Sequence, residues 1–131
     1  MLKKSVSLVI SVLKQEFSVC KVRDYSQIDL SAAFVFTGST DEEQSLVCPT
    51  VMVPDDTVER SDGWRAFRIE GVLDFSMVGI LSGISSLLAS NGIGIFAIST
   101  FNTDYILTRS TDLDKATGIL SRAGYNIKQP E

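Results

Sequence analysis

The chain has 131 residues, of which 44% are hydrophobic and 21% are charged, and its formal net charge is −4. This composition is typical of a folded globular protein and argues against disorder. The acidic balance argues against a nucleic-acid partner, because nucleic-acid-binding surfaces normally carry an excess of basic residues. Histidine is absent, so the commonest general base and the commonest zinc ligand are missing. The sequence therefore predicts neither an enzyme nor a metal site, and it calls for no cofactor.

The N-terminal segment alternates apolar and serine side chains. Residues 5–13 read SVSLVISVL, and this period of two predicts a half-buried strand. A signal peptide is not expected, because Lys14 and Glu16 follow and no small-residue cleavage site is present. The uncharged stretch 75–103 lacks the roughly 20 consecutive apolar residues that a membrane span needs. We therefore expect a cytoplasmic protein with no membrane partner.

The first half, residues 1–62, is predicted to be a strand-rich, helix-poor unit. Three further strands are expected at Phe17–Val22, Ala32–Gly38 and Ser45–Cys48, with a helical turn near Asp56–Arg60. Units of this size have marginal cores, so we expect the two halves to stabilise each other, side by side or by exchanging strands. Cys20 and Cys48 show no metal-ligand spacing and are predicted to be buried thiols, with a disulfide or a redox role as the alternative.

The second half, residues 63–131, begins with a predicted strand, WRAFRIEG (64–71), and a first helix. Asp74 or Ser76 can cap the start of this helix, and Gly92 can end it in a left-handed conformation. Apolar residues recur along one helical face at spacings of three and four: Met77, Ile80, Leu81, Ile84, Leu87 and Leu88.

The opposite face of this first helix carries no charge. Its residues are small: Gly79, Ser82, Gly83, Ser85, Ser86 and Ser90. Solvated helix faces usually carry lysine and glutamate, so we favour a face that another chain or a ligand partly covers. A polar but uncharged surface is the alternative.

A hairpin, a second helix and a last strand complete the second half. The strands are IGIFAIS (93–99) and DYILTR (104–109), joined by TFNT. Ser110 or Thr111 is expected to cap the second helix, with Asp112 and Asp114 in its first turn and a buried stripe of Leu113, Ala116, Leu120 and Ala123. Gly124 ends this helix, and YNIK (125–128) is the last strand.

This order of elements predicts an α+β fold. Strand, helix, strand, strand, helix, strand is the ferredoxin-like (βαββαβ) arrangement, in which both helices lie on one face of a four-stranded antiparallel sheet. Strand 93–99 is apolar on both of its faces, which suggests that a partner sheet or an oligomer covers the second face.

The segment GWRAFRIEGVLDFSMVGILSGISSLLASNGIGIFAISTFNTDYILTR resembles the ACT-domain family. It is most similar to the small paired-ACT proteins related to the CASTOR arginine sensors and, more distantly, to aspartokinase regulatory domains. The first half joins the resemblance through FSVCKV and SLVCPTVMVP. The resemblance implies two tandem ferredoxin-like ACT-type units, 1–62 and 63–131, of which the first is divergent and degenerate, in a homodimer.

The resemblance also implies a regulatory function. ACT domains bind small molecules, usually amino acids, at interfaces between paired domains. The implied site lies between the loop that opens the first helix and the hairpin. Its residues here are Leu73, Asp74, Phe75, Ser76 and Gly79 on one side, with Ile98, Ser99, Thr100, Phe101 and Asp104 on the other.

The chemistry of these residues suits a zwitterion. Amide groups at a helix N-terminus favour an α-carboxylate, and the Asp104 carboxylate can bind an ammonium or guanidinium group. Each of these residues also has a purely structural alternative. These are a turn residue for Asp104, a helix cap for Asp74, core residues for Phe75 and Phe101, and a close-packing position for Gly79. The sequence thus favours an amino-acid-binding sensor, with a protein-interaction module that has lost its pocket as the second reading.

Overall fold

The computed structural model describes residues 8–71 and 79–130, which form seven strands and two helices. In chain order the elements are β1 (Val9–Val22), β2 (Phe36–Ser39), β3 (Gln44–Pro49), β4 (Glu59–Ile69), α1 (Ile80–Ser90), β5 (Ile95–Ser99), β6 (Asp104–Arg109), α2 (Leu113–Arg122) and β7 (Asn126–Lys128). Short 3-10 turns lie at Thr50–Met52 and Ser110–Asp112. The α+β class is as predicted. No helix of the described residues is long and apolar enough to cross a membrane.

The chain divides into two compact units. One, which we call the two-helix unit, combines Met1–Lys14 with Arg65–Glu131, and the other, the strand unit, is Gln15–Trp64. The predicted domains 1–62 and 63–131 therefore differ from these units, because the first fourteen residues belong with the second half. Asp62 and Gly63 lie inside β4, where Gly63 has a φ of 84°, just before the division between the two units after Trp64.

The two-helix unit has the predicted order of strands and helices but one more strand in its sheet. Its strands are arranged β7-β1-β4-β6-β5. The last strand, β7, pairs in parallel with Val9–Ser11 of β1, which separates it from β4. The predicted sheet had only four strands, because the N-terminal strand was assigned to the other half. The alternation of apolar residues 8–13 did predict a strand, and its buried side chains belong to this core.

Both helices pack on one face of this sheet. The core joins Ile84 and Leu88 of α1 and Leu120 of α2 to strand residues such as Phe67 and Ile106. The predicted buried stripe of α2 is confirmed at Ala116 and Leu120 and is wrong at Ala123, which is exposed because it lies just past the last helical turn.

Glycines end both helices in the same way. Gly92 has a φ of 77°, its amide bonds the Ala89 carbonyl, and the Ile93 amide bonds the Leu88 carbonyl. Gly124 repeats this arrangement after α2 with a φ of 103°. The pattern is the Schellman motif, so both predicted helix ends are confirmed. The predicted caps at Ser110 and Thr111 are wrong, because the chain turns there as a 3-10 helix and neither side chain bonds a helix amide.

The strand unit contains the order β2-β3-β1-β4 and only a three-residue 3-10 helix, as its helix-poor sequence predicted. The predicted strands at Ser5–Leu13 and Phe17–Val22 are one strand where residues are described, since Lys14 and Glu16 keep their charges exposed. Cys20 and Cys48 are free, buried thiols, as predicted, and burial raises the pKa of Cys48 to about 11.

Two predictions about this unit are wrong. Residues Asp56–Arg60 form no helix, and β4 instead begins at Glu59. The strand predicted at Ala32–Gly38 begins only at Phe36. Asp24 and Asp29 each accept hydrogen bonds from the amide and hydroxyl of the serine two residues later. These tight turns keep residues 24–31, which come just before the predicted strand, in a loop.

Candidate ligand-binding site

One end of the two-helix unit gathers the start of α1 and the β5–β6 hairpin. β5 and β6 are antiparallel, with Ser99 opposite Asp104. The Thr103 hydroxyl, just before β6, donates a 2.7 Å hydrogen bond to the carbonyl of Ile69, the last residue of β4. β4 therefore ends beside the hairpin. α1 ends beside the start of β5, since the Ile93 amide bonds the Leu88 carbonyl, so α1 begins toward the other end of β5, where the hairpin turns. The predicted hairpin residues thus lie at the sheet end from which α1 begins.

The hairpin is closed by its own two threonines. The Thr100 amide and hydroxyl both donate to the Thr103 carbonyl, each at 2.9 Å. Thr103 itself is buried, and its hydroxyl ties the turn to β4. The sequence did not single out Thr103, because a threonine in a four-residue turn carries no signal that its hydroxyl will reach a neighbouring strand. The hairpin turn is consequently held by hydrogen bonds within the turn and by one hydrogen bond to the neighbouring strand β4.

Asp104 lies on the helix-bearing face of the sheet. Side chains alternate along β6, and Ile106, two residues later, packs in the core with both helices. Asp104 is partly buried, and its Oδ1 atom accepts a 2.6 Å hydrogen bond from the Ser99 hydroxyl. No lysine or arginine of residues 8–71 and 79–130 forms an ion pair with it. The carboxylate is therefore oriented by a neutral donor and has no charged partner among the described residues.

The first described residue on the helix side of the site is Gly79. It has a φ of 84° and occupies the N-cap position of α1, where no side chain of a described residue bonds the helix amides. Four of the predicted site residues, together with Met77, lie outside the described residues: Leu73, Asp74, Phe75 and Ser76. The predicted caps at Asp74 and Ser76 fall there as well.

The remaining predicted residues differ in exposure. Phe101, at the tip of the hairpin, is 78% exposed, so the alternative that placed it in the core is wrong. Thr100 is also exposed, and Ile98 is partly buried on β5. Ala97 is exposed in the single chain, so the predicted cover of β5 by a partner sheet or an oligomer stays a prediction. The uncharged face of α1 is likewise open, for Ser82, Ser86 and Ser90 are all exposed.

A second polar cluster lies on the other face of the same sheet and is internally paired. Arg68 donates to Glu70 at 3.1 Å and bonds Tyr105, and the Ser11 hydroxyl bonds Glu70. The Ser11 bond, aided by Arg68, lowers the pKa of Glu70. The charges of this cluster neutralise one another, which distinguishes it from Asp104. The described residues contain no group of His, Cys, Asp and Glu side chains that could hold a metal ion.

The chain was compared with protein-family models and with solved structures, and both comparisons found similar proteins. Residues 59–122 match the family model of the ACT domain. A solved structure of a protein from Agobacterium tumefaciens is 30% identical with a TM-score of 0.82, and the match covers 97% of this chain and 96% of that one. The ligand-free regulatory subunit of aspartate kinase from Thermus thermophilus has a TM-score of 0.63 at 9% identity, covering 92% and 99%.

A protein of unknown function from Vibrio cholerae has a TM-score of 0.69 at 17% identity, covering 88% of this chain and 89% of that one. The last two likenesses lie below 25% identity and show the shared fold alone. No curated protein sequence matches the chain.

Proposed function

Because the chain belongs to the ACT-domain family, we propose that it is a non-catalytic regulatory protein that binds an amino acid or a similar small zwitterion. The ligand lies at the end of the two-helix unit where α1 begins and the β5–β6 hairpin turns. Asp104 binds the ammonium group, and the amides at the start of α1 bind the carboxylate. Nucleic acid and membrane have no part in this function.

The observation that carries the proposal is the state of Asp104. The Asp104 carboxylate has a neutral donor and no charged partner among the described residues, and a charged donor forms the stronger kind of hydrogen bond with it. Ser99 fixes its orientation at 2.6 Å without neutralising it. The N-terminus of α1 has no side-chain cap at Gly79, and amides at such a helix end attract an anion. The Asp104 carboxylate, which attracts a cation, and the first amides of α1, which attract an anion, lie at the same end of the sheet. This arrangement suits a ligand that carries both charges.

The proposal includes an assembly. The strand unit is a degenerate ACT-type unit, so that the chain is a tandem pair, and the likeness to the aspartate kinase regulatory subunit, which extends over 92% of this chain, supports this. Two copies form a homodimer, and the partner completes the ligand site through an ACT–ACT interface. The exposed, uncharged face of α1 and the apolar edge strand β5 support such an association, because both are open in the single chain.

Calorimetric titration against the twenty amino acids tests the ligand. We expect at least one to bind, and Asp104→Ala to weaken it about tenfold or more, since a hydrogen bond to a charged group contributes roughly 1.5–3 kcal/mol. Asp41→Ala is the matched control, because Asp41 is an exposed turn residue of the strand unit, and its affinity should equal that of the wild type. Folded protein that binds none of the twenty, or that binds equally well without Asp104, contradicts the proposal.

The uncharged α1 face favours a second candidate, a protein-interaction module with a vestigial pocket. Exposed Ser82, Ser86 and Ser90 leave this face open to close approach by a partner helix. In that case Ser86→Arg abolishes capture of the partner from cell extract, whereas Asp104→Ala leaves capture unchanged. The amino-acid sensor predicts instead that the ligand alters capture and that Asp104→Ala removes this dependence.

A further inference from the structure

The opposite end of the same strands contains a group of buried polar atoms that have no partners. Among the described residues, the buried side-chain atoms without a hydrogen bond are Arg65 Nε, Thr108 Oγ1 and Ser110 Oγ. All three belong to the two-helix unit. Buried polar atoms of folded proteins are nearly always hydrogen-bonded, because leaving one unsatisfied is costly. Three such atoms in one unit therefore indicate a common partner.

The topology places the three residues close together. β4 and β6 are neighbours and run antiparallel, since Thr103 at the start of β6 bonds Ile69 at the end of β4. Arg65 lies four residues before Ile69, and Thr108 lies five residues after Thr103. At about 3.3 Å per residue, both are therefore about 13–17 Å from that bond, at the same level of the sheet. Ser110 follows Thr108 by two residues.

Arg65 and Thr108 also lie on the face that carries the helices. Phe67 and Ile69 of β4 pack in the core with α1 and α2, and alternation puts Arg65 on their side. Ile106 of β6 packs there too, and alternation puts Thr108 on the same face. Thr108 is 0% exposed. Its side chain is therefore enclosed on the face of the sheet on which α2 packs.

The helix that begins at this point also lacks a cap. The 3-10 turn Ser110–Asp112 leads into the ten residues of α2, and no side chain of a described residue caps either segment. The Leu113 amide bonds the Ser110 carbonyl, so the amides open to a ligand are those of the 3-10 turn. Helix amides at such an end donate hydrogen bonds outward and carry a partial positive charge. Arg65 donates through one terminal nitrogen to the Leu13 carbonyl at 2.8 Å and forms no ion pair with a described residue. Hydrogen-bond donors and the positive charge of Arg65 therefore lie at the same end of the sheet, where α2 begins.

We propose that Arg65, Thr108, Ser110 and the amides at the start of α2 form a second ligand site, which binds a small oxyanion or an oxyanionic group of a larger molecule. The guanidinium supplies the charge, and the hydroxyls supply directional hydrogen bonds. Asp112 and Asp114, in the same turn, oppose the charge of the anion, so the binding depends on these short-range donors. The site uses neither Asp104 nor the turn of the hairpin and is independent of the function proposed above.

Thermal unfolding in different salts at matched ionic strength tests the site. Inorganic phosphate, sulfate and acetate are compared with chloride, and we expect at least one oxyanion to raise Tm in a saturable manner, because it binds only the folded state. A response to phosphate and sulfate indicates a tetrahedral group, and a response to acetate indicates a carboxylate. If none of the three raises Tm above the chloride value, the proposal is overturned.

Thr108→Val removes the buried hydroxyl at nearly constant shape. We expect the variant to be at least as stable as the wild type in chloride, because Oγ1 has no partner among the described residues, and to bind the oxyanion about tenfold more weakly. Thr103→Val is the matched control: its hydroxyl is paired with Ile69, so the variant should lose stability and keep the response to the anion. Retention of the full anion response by Thr108→Val overturns the proposal.

Ser110→Ala provides a second variant should Thr108→Val fail to fold. Ser110 is partly exposed, so this change alters packing little. It should also weaken the anion response by several-fold, because it removes one of the donors. An unchanged response in Ser110→Ala overturns the inclusion of this residue and with it the site as proposed.

Discussion

Phe67→Ala is expected to lower the free energy of unfolding by about 3–5 kcal/mol, the range for removing a buried phenylalanine ring. Phe67 is 0% exposed and belongs to the core that joins β4 to Ile84 and Leu88 of α1 and to Leu120 of α2. Removal of the ring therefore loses apolar burial and leaves a cavity at the centre of the two-helix unit. Because domains of this size are stable by only about 5–15 kcal/mol, the loss should be visible as a large fall in the urea midpoint.

Phe101→Ala is the matched control, since it makes the same chemical change at a side chain that is 78% exposed. Its unfolding free energy should stay within about 0.5 kcal/mol of the wild type, as for most surface substitutions. Under the proposed function it should nevertheless weaken amino-acid binding. A loss of less than about 1 kcal/mol for Phe67→Ala, or equal losses for the two variants, would contradict the core assignment.

The elements of the two-helix unit were predictable because local signals were strong. The spacing of Ile80, Ile84 and Leu88 defines the buried face of α1, and Gly92 and Gly124 mark two helix ends that need a positive φ. A glycine is the residue that adopts this conformation without steric cost, so a single glycine in the sequence indicates where the helix ends. The hairpin from Ser99 to Asp104 was predictable for a similar reason, since polar turn residues separate two apolar strands.

The pairing of strands was less predictable than their existence. The alternation of residues 8–13 indicates a strand but does not say which sheet receives it, because Ile10 and Val12 would suit any apolar face. The neighbours of a strand are decided by distant residues, here β4 and β7. The prediction of the caps of α2 was wrong for a related reason. Ser110 and Thr111 are good capping residues, but both lie within the 3-10 turn that follows Arg109 and not at the first position before α2.

The candidate site was predictable in part. Asp104 is conspicuous as the first charge after a long uncharged stretch, and alternation along β6 puts it on the helix-bearing face of the sheet. Its hydrogen bond from Ser99 and the anchoring of the turn by Thr103 were not predictable, since each depends on the register between two strands. The partnerless hydroxyl of Thr108 has no signal in sequence either, because threonine is an ordinary strand residue.

A fragment of residues 63–131, the predicted C-terminal domain, is expected not to fold on its own. Without β1, the strands β4 and β7 lose the neighbour that lies between them, and their backbone groups on that side become unpaired. The core also loses Ile10 and Val12, which are 1% and 3% exposed. Each such loss costs about 2–5 kcal/mol, so together they approach or exceed the stability of a small domain.

A matched control chain restores only the missing strand. β1 and β4 are neighbours, and the Glu70 amide bonds the Val9 carbonyl at 2.9 Å near their far ends. Lys14 can therefore be joined to Arg65 by an Asn-Gly hairpin turn, which omits residues 15–64. We expect this chain to show cooperative thermal unfolding by circular dichroism and dispersed amide resonances, whereas fragment 63–131 shows neither. Cooperative folding of fragment 63–131 would mean that β7 can take the place beside β4, as in a four-stranded ferredoxin-like sheet, and that β1 is dispensable to this unit.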